Sequence, residues 1–258
     1  MSGKPSSTPC GGLGTTKRPA VSTPYQNVAI VTGASQGIGA ALVEAYRGLN
    51  FAVVANSRSI APTDDPGVAV VAGDIADPAT ADRIVTTAVE QFGRVDTLIN
   101  NAGVFVSKPF TEYTVADYEF VTAVNLTGFF HITQRSIARM LAQREGGHMV
   151  NVTTALIEHP DSKVPAGLAA LTKGGLAAVT KSLAIEYAHN GIRVNAICPG
   201  NIATPMHADD DSAALAAMHP LGRMGSIADI VEGIRYLEAA KFVTGETLHI
   251  DGGQSAGH

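Results

Sequence analysis

The stretch Thr32-Gly33-Ala34-Ser35-Gln36-Gly37-Ile38-Gly39 decides the fold. It follows an apolar run over 28–31 and leads into a helical pattern over 38–49. Glycines at such a turn let backbone approach a ligand closely. The first-turn N–H groups and the positive end of the following helix then suit a pyrophosphate. The spacing is Gly-x-x-x-Gly-x-Gly, not Gly-x-Gly-x-x-Gly, and a plain strand-to-helix turn shares it. The surrounding chain therefore has to carry the reading. Strand-like runs recur over 28–31, 52–55, 68–71, 97–100, 148–152, 193–197 and 247–250. Helical patterns lie between them over 38–49, 80–92, 116–144, 168–189 and 227–239. Strands alternating with helices imply parallel pairing through right-handed crossovers. The expected fold class is α/β: a single doubly wound Rossmann-type domain, with a seven-stranded parallel sheet flanked by helices. The least regular stretch is 204–224, where Asp209-Asp210-Asp211 reads as a cap for a short helix starting near Ser212.

Composition narrows the function. The 258 residues, 45% hydrophobic, suffice for one domain with a full core. A net charge of -5 and a pI near 5.9 argue against a general nucleic-acid binder. Cys10 and Cys198, far apart in sequence, read as two free thiols in a reducing compartment. No uninterrupted apolar run is long enough to span a bilayer, and a cytoplasmic location is expected. Residues 1–24, rich in Ser, Thr, Gly and Pro, read as a flexible extension with Lys17 and Arg18 solvated; 25–258 form the domain. Asn125-Leu126-Thr127 and Asn151-Val152-Thr153 fit the glycosylation pattern but fall on core elements, so they carry no weight.

Further motifs occur in order. Asn100-Asn101-Ala102-Gly103 follows the fourth strand and Asp74-Ile75 the third, while Pro199-Gly200-Asn201-Ile202-Ala203-Thr204 comes after the sixth and 244–253 spans the last. With the glycine loop, these resemble the short-chain dehydrogenase/reductase family from about residue 27 to 253. The resemblance implies a nicotinamide dinucleotide held by Gly33, Ser35, Gln36, Gly37, Ile38 and Gly39 at the pyrophosphate. It implies Asp74 and Ile75 at the adenine, with Asn101, Ala102 and Gly103 supporting that side and the central sheet. Pro199, Ile202 and Thr204 are implied to close over the nicotinamide. The second strand ends in Asn56-Ser57-Arg58, without the carboxylate that would bind a ribose 2′-hydroxyl. Ser57 and Arg58 offer donors suited to a 2′-phosphate, which favours NADP, with NAD as the other candidate. The resemblance also implies a small-molecule substrate and a homotetramer, or a dimer, built on the helices containing Asn125 and Lys173.

In this family a hydride passes between nicotinamide and a carbonyl carbon while a tyrosine protonates the oxygen. A lysine lowers the tyrosine's pKa, a serine orients the carbonyl, and an asparagine holds a water in the proton relay. Carried over by position, Asn125 is the asparagine, Thr154 takes the serine's place, and Lys173 is the lysine. The tyrosine position, one helical turn before Lys173, is Ala169. Tyr187, 14 residues beyond Lys173 on the same helix, lies about 21 Å away. Tyr113 and His159 are the other proton donors to weigh; packing suits the first and a surface position the second. The loop over 155–165 is about two residues longer than in the family and also carries Asp161, Ser162 and Lys163. Two readings stand. One is an NADP(H)-dependent oxidoreductase with a non-standard proton donor, acting on a carbonyl, an alcohol or an activated double bond. Water ordered by Thr154, Asn125 and Lys173 could then supply the proton. The other is a nucleotide-binding sensor or scaffold with little turnover.

Overall fold

The computed structural model describes residues 25–257. The extension over 1–24, with Cys10, Lys17 and Arg18, lies outside the described residues. Seven strands form one parallel sheet: β1 (Asn27–Thr32), β2 (Phe51–Ser57), β3 (Val68–Ala72), β4 (Thr97–Asn100), β5 (Gly147–Val152), β6 (Ile192–Pro199) and β7 (Thr247–Ile250). The order is β3-β2-β1-β4-β5-β6-β7, so the chain reverses direction of travel between β1 and β4. A crevice opens there, at the carboxyl ends of the strands.

The helices cover both faces. On one face lie α2 (Pro78–Phe92), α4 (Phe129–Gln143) and α5 (Gly167–Tyr187); on the other lie α1 (Gly37–Gly48) and α7 (Ile227–Ala239). Each face has its own apolar core. Val28, Ile30, Val54, Leu98 and Met149 point to the first, while Val31, Val53, Ile99, Val150 and Ile197 point to the second. That alternation along strands buried on both sides is why they read as continuous apolar runs. Among the described residues, 167–190 is the one helix long and apolar enough to cross a membrane. Its buried stripe, Leu168, Thr172, Leu176, Thr180 and Ala184, packs against β5 and β6 in a domain core.

The pattern over 116–144 resolves into three pieces: α3 (Val115–Thr122), a π-helical turn at Ala123–Gly128, and α4. Such a turn inserts one extra residue into the helix, and π turns concentrate at functional sites. Gly128 ends it against Ile75, where a Cβ would come within 2.8 Å of the Ile75 side chain. Of the aspartate triplet, Asp211 caps α6 (Ser212–Ala217), accepting from the N–H groups of Ala213 and Ala214. Cys198 is a buried free thiol, pushed up to about 12 by burial.

The amino ends of the strands are tied together by a buried carboxylate. Glu238 on α7 accepts hydrogen bonds from Tyr46 Oη, Thr97 Oγ1 and His148 Nδ1, each at 3.0 Å. Asn195 Nδ2 in turn donates to His148 Nε2 at 3.2 Å. Burial lowers the His148 pKa, which fits a neutral ring. Burial opposes ionisation of Glu238, but its donors outweigh that and hold it below the usual carboxylate range.

Candidate active site

The β1–α1 turn is built for close approach. Gly33 has φ +67°, and a Cβ there would lie 2.9 Å from Asn101 Nδ2; a Cβ on Gly39 would collide with the Gly33 carbonyl oxygen. Asn101 Nδ2 donates to the carbonyls of Thr32 and Gly33 at 2.9 and 3.2 Å. Thr32 Oγ1 accepts from the N–H groups of Asn101 and Ala102 at 3.1 and 3.0 Å. The loop after β4 therefore clamps the glycine turn, a role for Thr32 that sequence alone did not single out. Gln36, the N-cap of α1, makes no side-chain cap, and no acidic residue occupies the first turn. The helix thus presents uncapped N–H groups and its positive end to the crevice.

The crevice has a volume of about 610 Å³. Gly33, Ser35, Gln36, Gly37, Ile38 and Gly39 border it at the turn, and Ser57, Arg58, Asp74 and Ile75 at the ends of β2 and β3. Asn101, Ala102 and Gly103 form its floor; Pro199, Ile202 and Thr204 lie along the opposite wall. Ser35 Oγ and Ser57 Oγ share a hydrogen bond at 3.0 Å. Arg58 makes no ion pair among the described residues, whereas Asn56 is buried and spends its amide on the carbonyls of Val71 and Gly73.

At the other end lie Thr154, Ala169 and Lys173. Thr154, two residues beyond β5, caps a short helical turn: its hydroxyl accepts a long 3.4 Å bond from Leu156 N–H, which leaves the hydroxyl proton for a ligand. Lys173 Nζ donates to the Val152 carbonyl at 2.7 Å, and a Cβ on Gly103 would stand 2.9 Å from it. Burial lowers its pKa from 10.5 to about 8. Ala169, on the same helical face one turn earlier, is 3% exposed and opens onto the crevice without a polar atom.

Asn125 does not border the crevice. In the π turn, 1% exposed, it accepts from Val104 N–H at 2.9 Å and donates to the Val104 carbonyl and Thr172 Oγ1 at 3.0 and 3.1 Å. Its side chain thus holds the β4 exit loop against α5. Tyr113 lies near Gly167 at the start of α5, but its hydroxyl donates to the Val106 carbonyl at 2.9 Å. Neither Tyr113 nor His159 borders the crevice.

The far wall is a lid on two feet. Ala203 N–H donates to the Gly225 carbonyl and Gly225 N–H to the Asn201 carbonyl, at 2.8 and 2.9 Å. Asn201 N–H donates to the buried His219 Nε2 at 2.9 Å. Thr204 and Pro205 lie over Gly37, within 3.7 Å of where its Cβ would be. Beyond them the lid carries His207, whose Nδ1 meets Asp210 Oδ2 at 2.7 Å; both residues border the crevice. Sequence reasoning missed this pair, although the His-x-x-Asp spacing was there to see.

The family model described as enoyl-(acyl carrier protein) reductase matches residues 33–255. The chain is 34% identical over 245 residues to 3beta-hydroxysteroid dehydrogenase 1 of Eggerthella lenta, covering 88% of this chain and 92% of that one. The chain belongs to the short-chain dehydrogenase/reductase family. Another relative is a 3-oxoacyl-[acyl-carrier-protein] reductase of Synechocystis sp., 32% identical over 88% of this chain and 96% of that protein. Among solved structures, ElxO with NADP bound superposes with a TM-score of 0.82 at 26% identity, over 90% of this chain and 99% of that one. A 3-ketoacyl-(acyl-carrier-protein) reductase of Brucella melitensis, complexed with NADH, gives 0.81 at 28% identity, over 90% and 99%. This family member is an NAD(P)-dependent oxidoreductase. Its turn, uncapped helix and buried lysine fit a nicotinamide dinucleotide.

Proposed function

We propose that the protein is an NADP(H)-dependent carbonyl or alcohol oxidoreductase whose proton donor is a residue other than 169. Lys173 carries this reading: a buried ammonium stands beside the crevice although no tyrosine is present for it to tune. An uncompensated charge of that kind is costly to bury, and a binding task explains its retention. When bound, the nicotinamide supplies or accepts the hydride. Gly33 and the α1 terminus hold the pyrophosphate, and Ser57 and Arg58 take the 2′-phosphate. Lys173 keeps one N–H on Val152 and turns the others toward the nicotinamide ribose. The Thr154 hydroxyl donates to the carbonyl oxygen, orienting it and stabilising charge as it develops. Hydride geometry is untouched by Ala169, and positioning is the larger contribution to rate.

Ala169 itself favours a second reading, an NADP(H)-binding sensor or scaffold. One comparison separates the two. NADPH binding by fluorescence and single-turnover NADPH oxidation over a panel of ketones, aldehydes and an enone are measured for the parent, Ala169→Tyr and Lys173→Ala. We expect tighter binding of NADPH than NADH, measurable turnover, and a fall of about 10²-fold or more in Lys173→Ala. Tight binding without turnover, even at high enzyme, would leave the sensor reading. The exposed apolar side chains Val115, Tyr118, Phe130, Leu171 and Ile185 on α3, α4 and α5 support a homotetramer built on those helices. A cytoplasmic enzyme of small molecules is the setting that fits.

A further inference from the structure

We infer that His207, held by Asp210 on the lid, is the proton donor that replaces the missing tyrosine. The inference rests on the oxidoreductase reading above.

The side chains bordering the crevice leave few alternatives. Lys173 is committed to Val152 and, in the reading above, to the ribose. Asp211 spends an oxygen capping α6. Asp74 accepts from Ala76 N–H at 3.0 Å, at the end away from Thr154. Lys163 is exposed on the rim, with no side-chain partner among the described residues to orient it. His207 is the remaining side chain of a type suited to general acid–base work. Its placement is also suitable. It borders the same crevice as Thr154 and Ala169, and its side chain is 21% exposed. Asp210 at 2.7 Å from Nδ1 fixes the ring in the Nδ1–H tautomer, which leaves Nε2 for a ligand. Ala169 borders that crevice without a polar atom, so the proton comes from another side chain on its lining.

The step balances. The substrate carbon accepts the hydride, and the C=O π pair becomes a lone pair on oxygen. That oxygen takes the proton from His207 Nε2: the N–H bond breaks, the O–H bond forms, and the imidazolium becomes neutral. The substrate is reduced by two electrons and NADPH is oxidised to NADP⁺. Solvent at the exposed edge of the ring returns the proton. In alcohol oxidation each transfer runs in reverse.

The test compares the parent with His207→Gln, Asp210→Asn, Ala169→Tyr and the Ala169→Tyr/His207→Gln pair. Single-turnover rate against pH, NADPH affinity by fluorescence and ¹⁵N-histidine spectra of the cofactor-free protein are measured. We expect His207→Gln to lower the rate 10²–10³-fold with NADPH affinity within twofold, and to remove a limb of the pH profile. Asp210→Asn lowers the rate about tenfold and shifts the His207 ring away from the Nδ1–H tautomer. Ala169→Tyr restores at least tenfold of the rate lost in His207→Gln, which a purely structural role would not allow. A parent that turns over while His207→Gln keeps its rate and pH profile overturns the inference and assigns the proton to solvent. Loss of NADPH affinity in His207→Gln overturns it too, making His207 a cofactor contact. A parent with no turnover on the panel overturns the oxidoreductase reading first, and this inference with it.

Discussion

Lys173 concentrates the conflict between stability and chemistry in this site. Its charge is buried, and its pKa falls from 10.5 to about 8. A group whose folded pKa is depressed binds its proton more readily when unfolded, so the protein gains stability as pH rises from about 8 to about 10.5. Below pH 8 the burial penalty is complete, on the order of 3 kcal/mol. Losing the hydrogen bond to Val152 offsets about 1 kcal/mol of any relief. Lys173→Met should therefore raise the melting temperature of the cofactor-free protein at pH 7 by several degrees while abolishing turnover. Calorimetry checks it, and an unchanged or lower melting temperature would mean that the ammonium is solvated. Ala169 is the counterpart. Its absence of a hydroxyl was plain in the sequence, because one residue type at a known spacing settles it. The compensating imidazole was not, because it sits in an irregular segment whose position over the crevice only tertiary structure reveals.

At the scale of elements, the strands declared themselves through buried apolar runs, and all seven occur where they were expected, with ends shifted by two residues or fewer. The helix over 116–144 did not. Hydrophobic periodicity averages over several turns and is blind to one inserted residue, so the π turn around Asn125 was invisible. That turn directs Asn125 onto Val104 rather than into the crevice. Asn125→Ala strips both hydrogen bonds from the Val104 backbone in a buried setting, which should cost about 2–3 kcal/mol by denaturant unfolding. The lid foot has its own pH dependence. His219 accepts from Asn201 N–H, so the ring must be neutral, and burial keeps its pKa below 6.5. That stability is present above pH 6.5 and is lost as pH falls through the folded pKa. Asp251 and Arg223 bear on the same ring with opposite effects. NADPH affinity should weaken between pH 7.5 and 5.5 in the parent and change less in His219→Gln. Equal slopes in the two would detach the lid from this histidine.

On the whole molecule, the Glu238 cluster joins α1, α7, β4, β5 and β6 through one carboxylate. Glu238→Ala leaves the buried donors of Tyr46, Thr97 and His148 unpaired, a loss of about 3 kcal/mol or more. The melting temperature should drop by about 6–12 °C, with turnover at low temperature retained. Because its folded pKa is depressed, the stability Glu238 confers is complete above its ordinary range and disappears as acid titrates it. Association is a separate question at this scale. Ile185→Asp places a charge in the exposed apolar face of α5, and light scattering should show a smaller assembly than the parent's. An unchanged mass would move the interface elsewhere.

The strands run in parallel, so their two ends have had separate histories available to them. One end carries the hydrogen-bonded carboxylate that keeps the sheet assembled; the other carries the residues that touch nucleotide and substrate. A substitution at the second end that breaks no buried contact is judged by chemistry alone. Alanine at 169 illustrates the freedom this gives: it is the residue a helix accepts most readily, and it removes no contact on which the sheet depends. A tyrosine can therefore be absent there while the sheet and the glycine turn stay built.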